Sequence, residues 1–343
     1  MEHTNQDQTP QRLPTVDNPA IFPVRLVASK ASKNDDVSLI VEALSLASKP
    51  ESRNTVQDVF RSGLRNSLKR SALKVLSYLL DHGADISIID PSWVVNDEDP
   101  LVKPSLEALE MLIAHGWDIN AREDAEAWPL LWYLVEYPDL VTWCLDQGAI
   151  VVYPPSDDPS RDANRLGHYW SQSLLEHAAK RASVATFRLL REKGAPFHQR
   201  ILHGAVERAV TSAPPFHGST SPSTSPSTSN VWFNERMAMI RYLVDEAGLD
   251  VNSEEWRLGK YGATPLDIVS SYKNGKDARE LIWFLLDRGA DLNHVSILKD
   301  PTRGDIRHPN PLEEARLISN TRFLEAVQEW QDRQRNNTTC EIL

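Results

Sequence analysis

One short phrase recurs six times along this chain, and such recurrence restricts the fold to stacked copies of one small unit. It reads YLLDHGADI at Tyr78 to Ile86, MLIAHGWDIN at Met111 to Asn120 and WCLDQGAIV at Trp143 to Val151. It returns as LLREKGAPF at Leu189 to Phe197, YLVDEAGLDVN at Tyr242 to Asn252 and FLLDRGADLN at Phe284 to Asn293. In each copy an apolar stripe at helical spacing runs into a glycine. Leu281, Ile282, Leu285 and Leu286 before Gly289 show the stripe, as do Leu106, Leu109, Leu112 and Ile113 before Gly116. A glycine there predicts a helix that ends on a left-handed residue, because glycine alone adopts that backbone without a steric penalty. Helices are therefore expected to stop at Gly83, Gly116, Gly148, Gly194, Gly248 and Gly289.

The glycines are spaced by 33, 32, 46, 54 and 41 residues. The first two spacings match a helix-pair unit of about 33 residues, and the longer three carry visible insertions. VVYPPSDDPSRDANRLGHY after Gly148 reads as a loop, and the tract from Thr211 to Asn230, TSAPPFHGSTSPSTSPSTSN, is too polar to bury itself. Further length falls around Ser253 to Tyr261 and Tyr272 to Lys276. Helix starts are written too: Gly262-Ala263-Thr264-Pro265-Leu266-Asp267-Ile268-Val269, with weaker versions at Ala127 to Leu131, Ser173 to Ala179 and Asn310 to Ala315. Proline costs no hydrogen bond in the first turn of a helix. Val37, Ile40, Val41 and Leu44 predict one more unit after Phe22 to Ser32, and Phe323, Ala326, Val327 and Trp330 predict a closing helix with a wet outer face.

These endings, with the G-A-T-P-L-D-I-V opening, resemble the ankyrin-repeat family, whose usual opening has His where Asp267 stands. The resemblance covers about Asn18 to Arg335 and is sharpest from Gly262 to Asn293. It implies an all-α fold: an ankyrin-type helix-pair solenoid of about six or seven repeats with short hairpin tips. Residues 1–17 and the 211–230 insertion are expected to be disordered, 18–335 to form the solenoid and 336–343 to be a flexible tail.

Charge and cysteine content narrow the function. The chain carries 48 Asp and Glu against 37 Lys and Arg, a net −11, with no basic block to track a phosphate backbone, so nucleic acid is not expected as a ligand. Two cysteines far apart, Cys144 and Cys340, make no disulfide framework and point to a reducing compartment. The N-terminal stretch has no basic and apolar run of the secretory kind, and no stretch reaches the ~18 apolar residues of a membrane span. A cytoplasmic monomer is expected, in which the consecutive sequons at Asn336 and Asn337 are idle.

No catalytic, cofactor or metal site is expected. His82 and His115 stand one residue before a capping glycine, where a polar or cationic side chain complements the helix end. His198 and His203 lack the remaining ligands of a zinc site, and Cys144 sits in an apolar stripe with no paired base. The acidic runs Asn96 to Asp99 and Ser156 to Asp158 lack the glycine and closing Glu of a calcium loop, and no phosphate-binding glycine motif is present. Trp132 and Trp143 are expected in the core, with Trp117 and Trp128 facing solvent at turns.

The resemblance implies contacts with a partner protein through hairpin tips and the inner face of the first helices. The long tip supplies Trp256, Arg257 and Tyr261, the composition of an interface hot spot. Ile89, Asp90, Arg122 and Trp128 are the matching candidates on other tips. Ser221 and Ser225 each precede proline and fit a proline-directed phosphorylation site. Cys340-Glu341-Ile342-Leu343 fits the prenylation pattern, although Glu341 is a poor aliphatic position and no polybasic stretch precedes it. The expected function is a non-catalytic adaptor, scaffold or inhibitor subunit. The alternatives are a membrane-recruitment factor tethered through Cys340 and an accessory protein of a biosynthetic pathway.

Overall fold

All six glycines of the recurring phrase have left-handed backbones, with φ of 84° at Gly83, 90° at Gly116, 89° at Gly148, 96° at Gly194, 75° at Gly248 and 85° at Gly289. In this computed structural model the described residues are 22–96, 102–122, 127–152, 173–214, 228–256, 262–273, 276–300 and 304–340. Among the described residues the fold is all-α apart from two short hairpins, and the chain divides into two units, Met1–Asp118 and Ile119–Leu343.

The left-handed turn lets the amide after each glycine reach back into the helix. Ala84, Trp117, Ala149, Ala195 and Ala290 donate to the carbonyls of Leu79, Leu112, Cys144, Leu190 and Leu285 at 2.9 to 3.1 Å. These bonds satisfy carbonyls that a helix end would otherwise leave bare. The Gly248 copy has one residue more between its apolar stripe and its glycine, and the structure takes it up as a π-turn over Tyr242–Glu246. Leu249 then donates to Leu243 at 2.9 Å, one residue further back than in the other copies.

In the first unit α1 (Phe22–Asn34) packs on α2 (Val37–Ala47) and α3 (Val56–Arg70), and α3 packs on α4 (Leu73–Asp81), which meets α5 (Leu106–Ala114). A 3₁₀ turn, Pro91–Val94, lies on α3. Thr55 and Asp58 start α3 with a reciprocal capping box. The buried face of α2 is Ile40, Ala43 and Ala47, whereas Val41 of the expected stripe is exposed.

The second unit has two layers. One is the row α6 (Leu130–Tyr133), α8 (Leu174–Arg181), α10 (Arg200–Ser212), α12 (Pro265–Ser271) and α14 (Pro311–Leu317), each packed on the next. The other layer contains α7 (Pro138–Asp146), α9 (Val184–Glu192), α11 (Thr228–Arg241), α13 (Arg279–Asp287) and α15 (Thr321–Cys340). The helix starts read from the sequence appear at α6, α8, α12 and α14. Thr264 with Asp267, and Asn310 with Glu313, form capping boxes, each with proline in the first turn. Apolar side chains fill most of the unit's interior: Leu130, Leu175, Phe187, Ile201, Leu266, Leu281 and Phe323 are all 1 % exposed or less.

Charged residues join neighbours in the second layer. Arg188 pairs with Glu246, Arg241 with Glu280 at 2.6 Å and Arg288 with Asp245 at 2.7 Å. Two antiparallel hairpins follow the last two capping glycines: β1 (Glu255–Trp256) with β2 (Gly262–Ala263), and β3 (Ile297–Asp300) with β4 (Gly304–Arg307). Helix also enters two segments expected to be irregular. Thr211 and Ser212 continue α10, with their hydroxyls bonded back to the Glu207 and Arg208 carbonyls, and Thr228 opens α11. Helix α15 runs on through residues 336–340, where a tail is expected. Residues 1–17, the rest of that insertion over 215–227, and 341–343 lie outside the described residues.

A Cβ placed on Gly289 meets no atom within 4 Å, so Gly289→Ala removes no contact and reports the backbone conformation alone. It is expected to cost about 1 kcal/mol in urea unfolding at unchanged m value, and Gly289→Asn is expected to cost less. An unchanged midpoint in Gly289→Ala would contradict the left-handed ending.

Candidate functional site

The β1–β2 hairpin stands on a buried polar base that includes His203, Glu255, Glu176 and Asp267. His203 of α10 is 0 % exposed, and its Nε2 donates to the carbonyls of Ser253 at 2.9 Å and Ala263 at 3.0 Å. Those residues lie on opposite legs of the hairpin. One imidazole thereby clamps both legs, and two carbonyl acceptors fix its proton on Nε2. Burial holds the His203 pKa below its usual value.

A carboxylate pair flanks the clamp. Glu255 opens β1 and is 6 % exposed; Arg200, at the start of α10, has its Nε 2.8 Å from Glu255 and 3.1 Å from Glu176 of α8. The guanidinium thus ties the hairpin to two helices. Removing one partner from such a buried set costs about 3–5 kcal/mol, because the remaining charge stays buried and uncompensated. His294, from the following hairpin's entry, lies between Asp267 Oδ2 of α12 at 3.0 Å and Glu254 Oε1, next to β1, at 2.9 Å. Burial raises the Asp267 pKa, against its hydrogen bonds from the Thr264 amide and hydroxyl.

His198 Nε2 and the Ser173 hydroxyl are hydrogen-bonded across 3.0 Å, while the Ser173 hydroxyl accepts the Glu176 amide at 3.2 Å. The pair therefore caps α8. Burial and the neighbouring Arg200 lower the His198 pKa. At the far end of α8, Arg236 is 1 % exposed and donates to the carbonyls of Ala179 at 2.8 Å and Ala182 at 2.6 Å. Burial brings its pKa down to about 10, so it stays charged at neutral pH and complements the helix C-terminus.

The candidate contact residues fall in different settings. Trp256 lies in β1 opposite Gly262; Arg257 and Tyr261 lie outside the described residues, as do Ser221 and Ser225. Ile89 is 3 % exposed and so belongs to the interior, not to an open tip. Asp90 uses its carboxylate to accept the Ser92 amide at 2.7 Å and starts the 3₁₀ turn. Arg122 is half-buried. Trp128 is also half-buried, with its ring against His177 at 4.6 Å and Tyr133 at 5.7 Å. Trp117, expected in solvent, is 5 % exposed. Cys340 is the last residue of α15.

Cys144 is 0 % exposed and burial pushes its thiol up to about 12, the opposite of an activated nucleophile. His82 and His115 occupy the C-cap positions and donate from Nδ1 to the carbonyls four residues back, at 2.7 and 2.8 Å. No group of three or more potential metal ligands converges among the described residues. Among them also, no helix is long and apolar enough to cross a membrane.

A set of side-chain amides escapes the sequence reading. Asn120 donates to the Gly148 carbonyl at 3.1 Å and accepts the Ile150 amide at 3.0 Å; Asn252 does the same to Gly289 at 2.9 Å and Asp291 at 2.8 Å. Gln199 accepts the Asp250 amide at 3.1 Å. Each amide joins one turn to the next. The signal was present, since Asn stands four residues after Gly116, Gly248 and Gly289. No protein-family model matches the chain, and no curated protein matches it.

The buried histidines make stability depend on pH. His177 is 4 % exposed, and burial, with Arg181 and Lys180 nearby, takes its pKa from 6.5 down to about 3. The unfolded chain binds the proton near 6.5, so the neutral ring favours the folded state above that pH, and this contribution drains as pH falls toward 3. Unfolding free energy is expected to fall below pH 6.5 by up to about 1.4 kcal/mol per pH unit for each such histidine. His177→Gln should flatten the slope by one proton. A profile flat from pH 7 to 5 would contradict the burial of these rings.

Proposed function

We propose that the chain is a non-catalytic protein-binding module, an ankyrin-like helix-pair solenoid whose hairpins present contact residues to a partner protein. The observation that carries this reading is the clamped base of the β1–β2 hairpin. His203 and Arg200 hold both legs on helices α8 and α10, so a tip bearing Trp256, Arg257 and Tyr261 starts from a fixed platform. A binding loop on a rigid support loses less entropy on association than a free one. At the base His203 Nε2 is taken up by two hairpin carbonyls and Arg200 by the Glu176 and Glu255 carboxylates, which supports a structural use for these groups and a recognition role for the tip.

The second hairpin strengthens the reading. It follows Gly289 as β1–β2 follows Gly248, and it exposes Ile297 to 49 % and Ile306 to 36 %. Two neighbouring projections of this kind give a surface that aromatic and aliphatic side chains can anchor.

The test compares the full chain with the triple variant Trp256→Ala, Arg257→Ala, Tyr261→Ala as baits under identical conditions, with thermal midpoints measured on both. The expected result is the loss of specific partners at an unchanged midpoint, with affinity falling by at least about tenfold for a hot-spot set. Identical partner sets would move recognition off this tip.

A further inference from the structure

The unit Met1–Asp118 contains a cleft of about 460 Å³ bordered by α1, α3 and the 3₁₀ turn Pro91–Val94, and its charge is opposite to that of the chain. Arg25, Arg61, Arg65 and Lys69 line it, against one carboxylate, Asp58. Asp58 is already engaged: it accepts the Thr55 amide at 2.8 Å and the Thr55 hydroxyl at 2.9 Å, bonds that hold its pKa below the usual carboxylate range. Arg61 and Arg65 are exposed, and among the described residues neither has a carboxylate within ion-pair reach.

An amide lies below them. Asn54 is 4 % exposed and lines the same cleft. Its Oδ1 accepts from Arg25 Nε at 3.2 Å, which fixes the orientation of the group, and its Nδ2 has no hydrogen-bond partner. A buried donor left open beside Arg61 and Arg65 is an arrangement that an anionic chain with its own carbonyls would complete.

The spacing selects the kind of chain. Arg61, Arg65 and Lys69 recur every four residues along α3, which places them about 6 Å apart along the helix axis. Side chains on one face of an extended peptide recur every ~6.7 Å. We propose that this cleft binds an extended acidic segment of a partner protein, with alternate Asp or Glu side chains on Arg61 and Arg65 and a backbone carbonyl on Asn54 Nδ2. Single-stranded nucleic acid fits less well. The aromatic residue in the lining, Trp93, is only 7 % exposed and offers no open face for base stacking.

This inference rests on the protein-binding reading but uses a different surface, so the two fail separately. The probe is a fluorescein-labelled dodecapeptide of alternating Glu and Thr, titrated with the full chain at low ionic strength and read by anisotropy. A Gln-Thr peptide of equal length and a labelled oligothymidylate serve as comparisons. The Glu-Thr peptide is expected to bind, the Gln-Thr peptide not to. Arg61→Gln with Arg65→Gln is expected to weaken binding by at least about tenfold at unchanged thermal midpoint. Failure of the wild-type chain to bind the acidic peptide would overturn the proposal, and so would equal binding by the double variant. Tighter binding of oligothymidylate, lost in the same variant, would assign the cleft to nucleic acid and overturn it as well. None of these outcomes touches the hairpin reading, which the triple variant at Trp256, Arg257 and Tyr261 decides.

Discussion

The left-handed glycine that ends six of the helices is the constraint on which the rest of this architecture depends. A helix stopped there reverses its chain within one residue and returns the following amide to a carbonyl in its own last turn, as Ala84 does to Leu79 and Ala290 to Leu285. Each unit therefore ends at the same place relative to its apolar stripe. Where one extra residue precedes Gly248, the helix widens into a π-turn and the glycine still occupies the left-handed position, at φ 75°. The ending is kept and the helix yields.

From that fixed ending the polar contacts between turns follow. Asn120 and Asn252 each bridge a glycine carbonyl and an amide two residues later, a geometry available only where successive turns are alike. Each such bond is worth about 1 kcal/mol net. Its larger effect is on register, since a slipped turn would lose both bonds of the bridging amide at once. Arg236, Arg200 and His203 extend the same logic inward. Each takes carbonyls or carboxylates from neighbouring helices and hairpins that could not otherwise be paired.

What the sequence makes legible is what is decided locally. The six glycine endings, the apolar stripe before Gly289 and the Thr264–Asp267 cap all depend on residues within one or two turns, and all appear where the pattern places them. Exposure of a tip residue is decided by what lies over it, and there the local reading fails. Ile89 and Trp117 were expected at open turns and are 3 % and 5 % exposed. The β3–β4 hairpin is equally invisible to a search for helix periods. The base of the candidate site joins residues 50 and 60 positions apart, and no spacing rule predicts that His203 meets Ser253 and Ala263. The cationic cleft likewise draws on α1, α3 and a 3₁₀ turn, so a chain of net −11 conceals it from any composition argument.

The most direct measurement of the central claim is hydrogen exchange at the six amides that follow the glycines: Ala84, Trp117, Ala149, Ala195, Leu249 and Ala290. All six sit just beyond a helix, where turn amides ordinarily exchange fast. If the left-handed endings organise the fold, each is protected by its bond back into the helix, Leu249 through the π-turn included. Exchange at unstructured rates at these positions, in a chain whose helix interiors remain protected, would contradict the account.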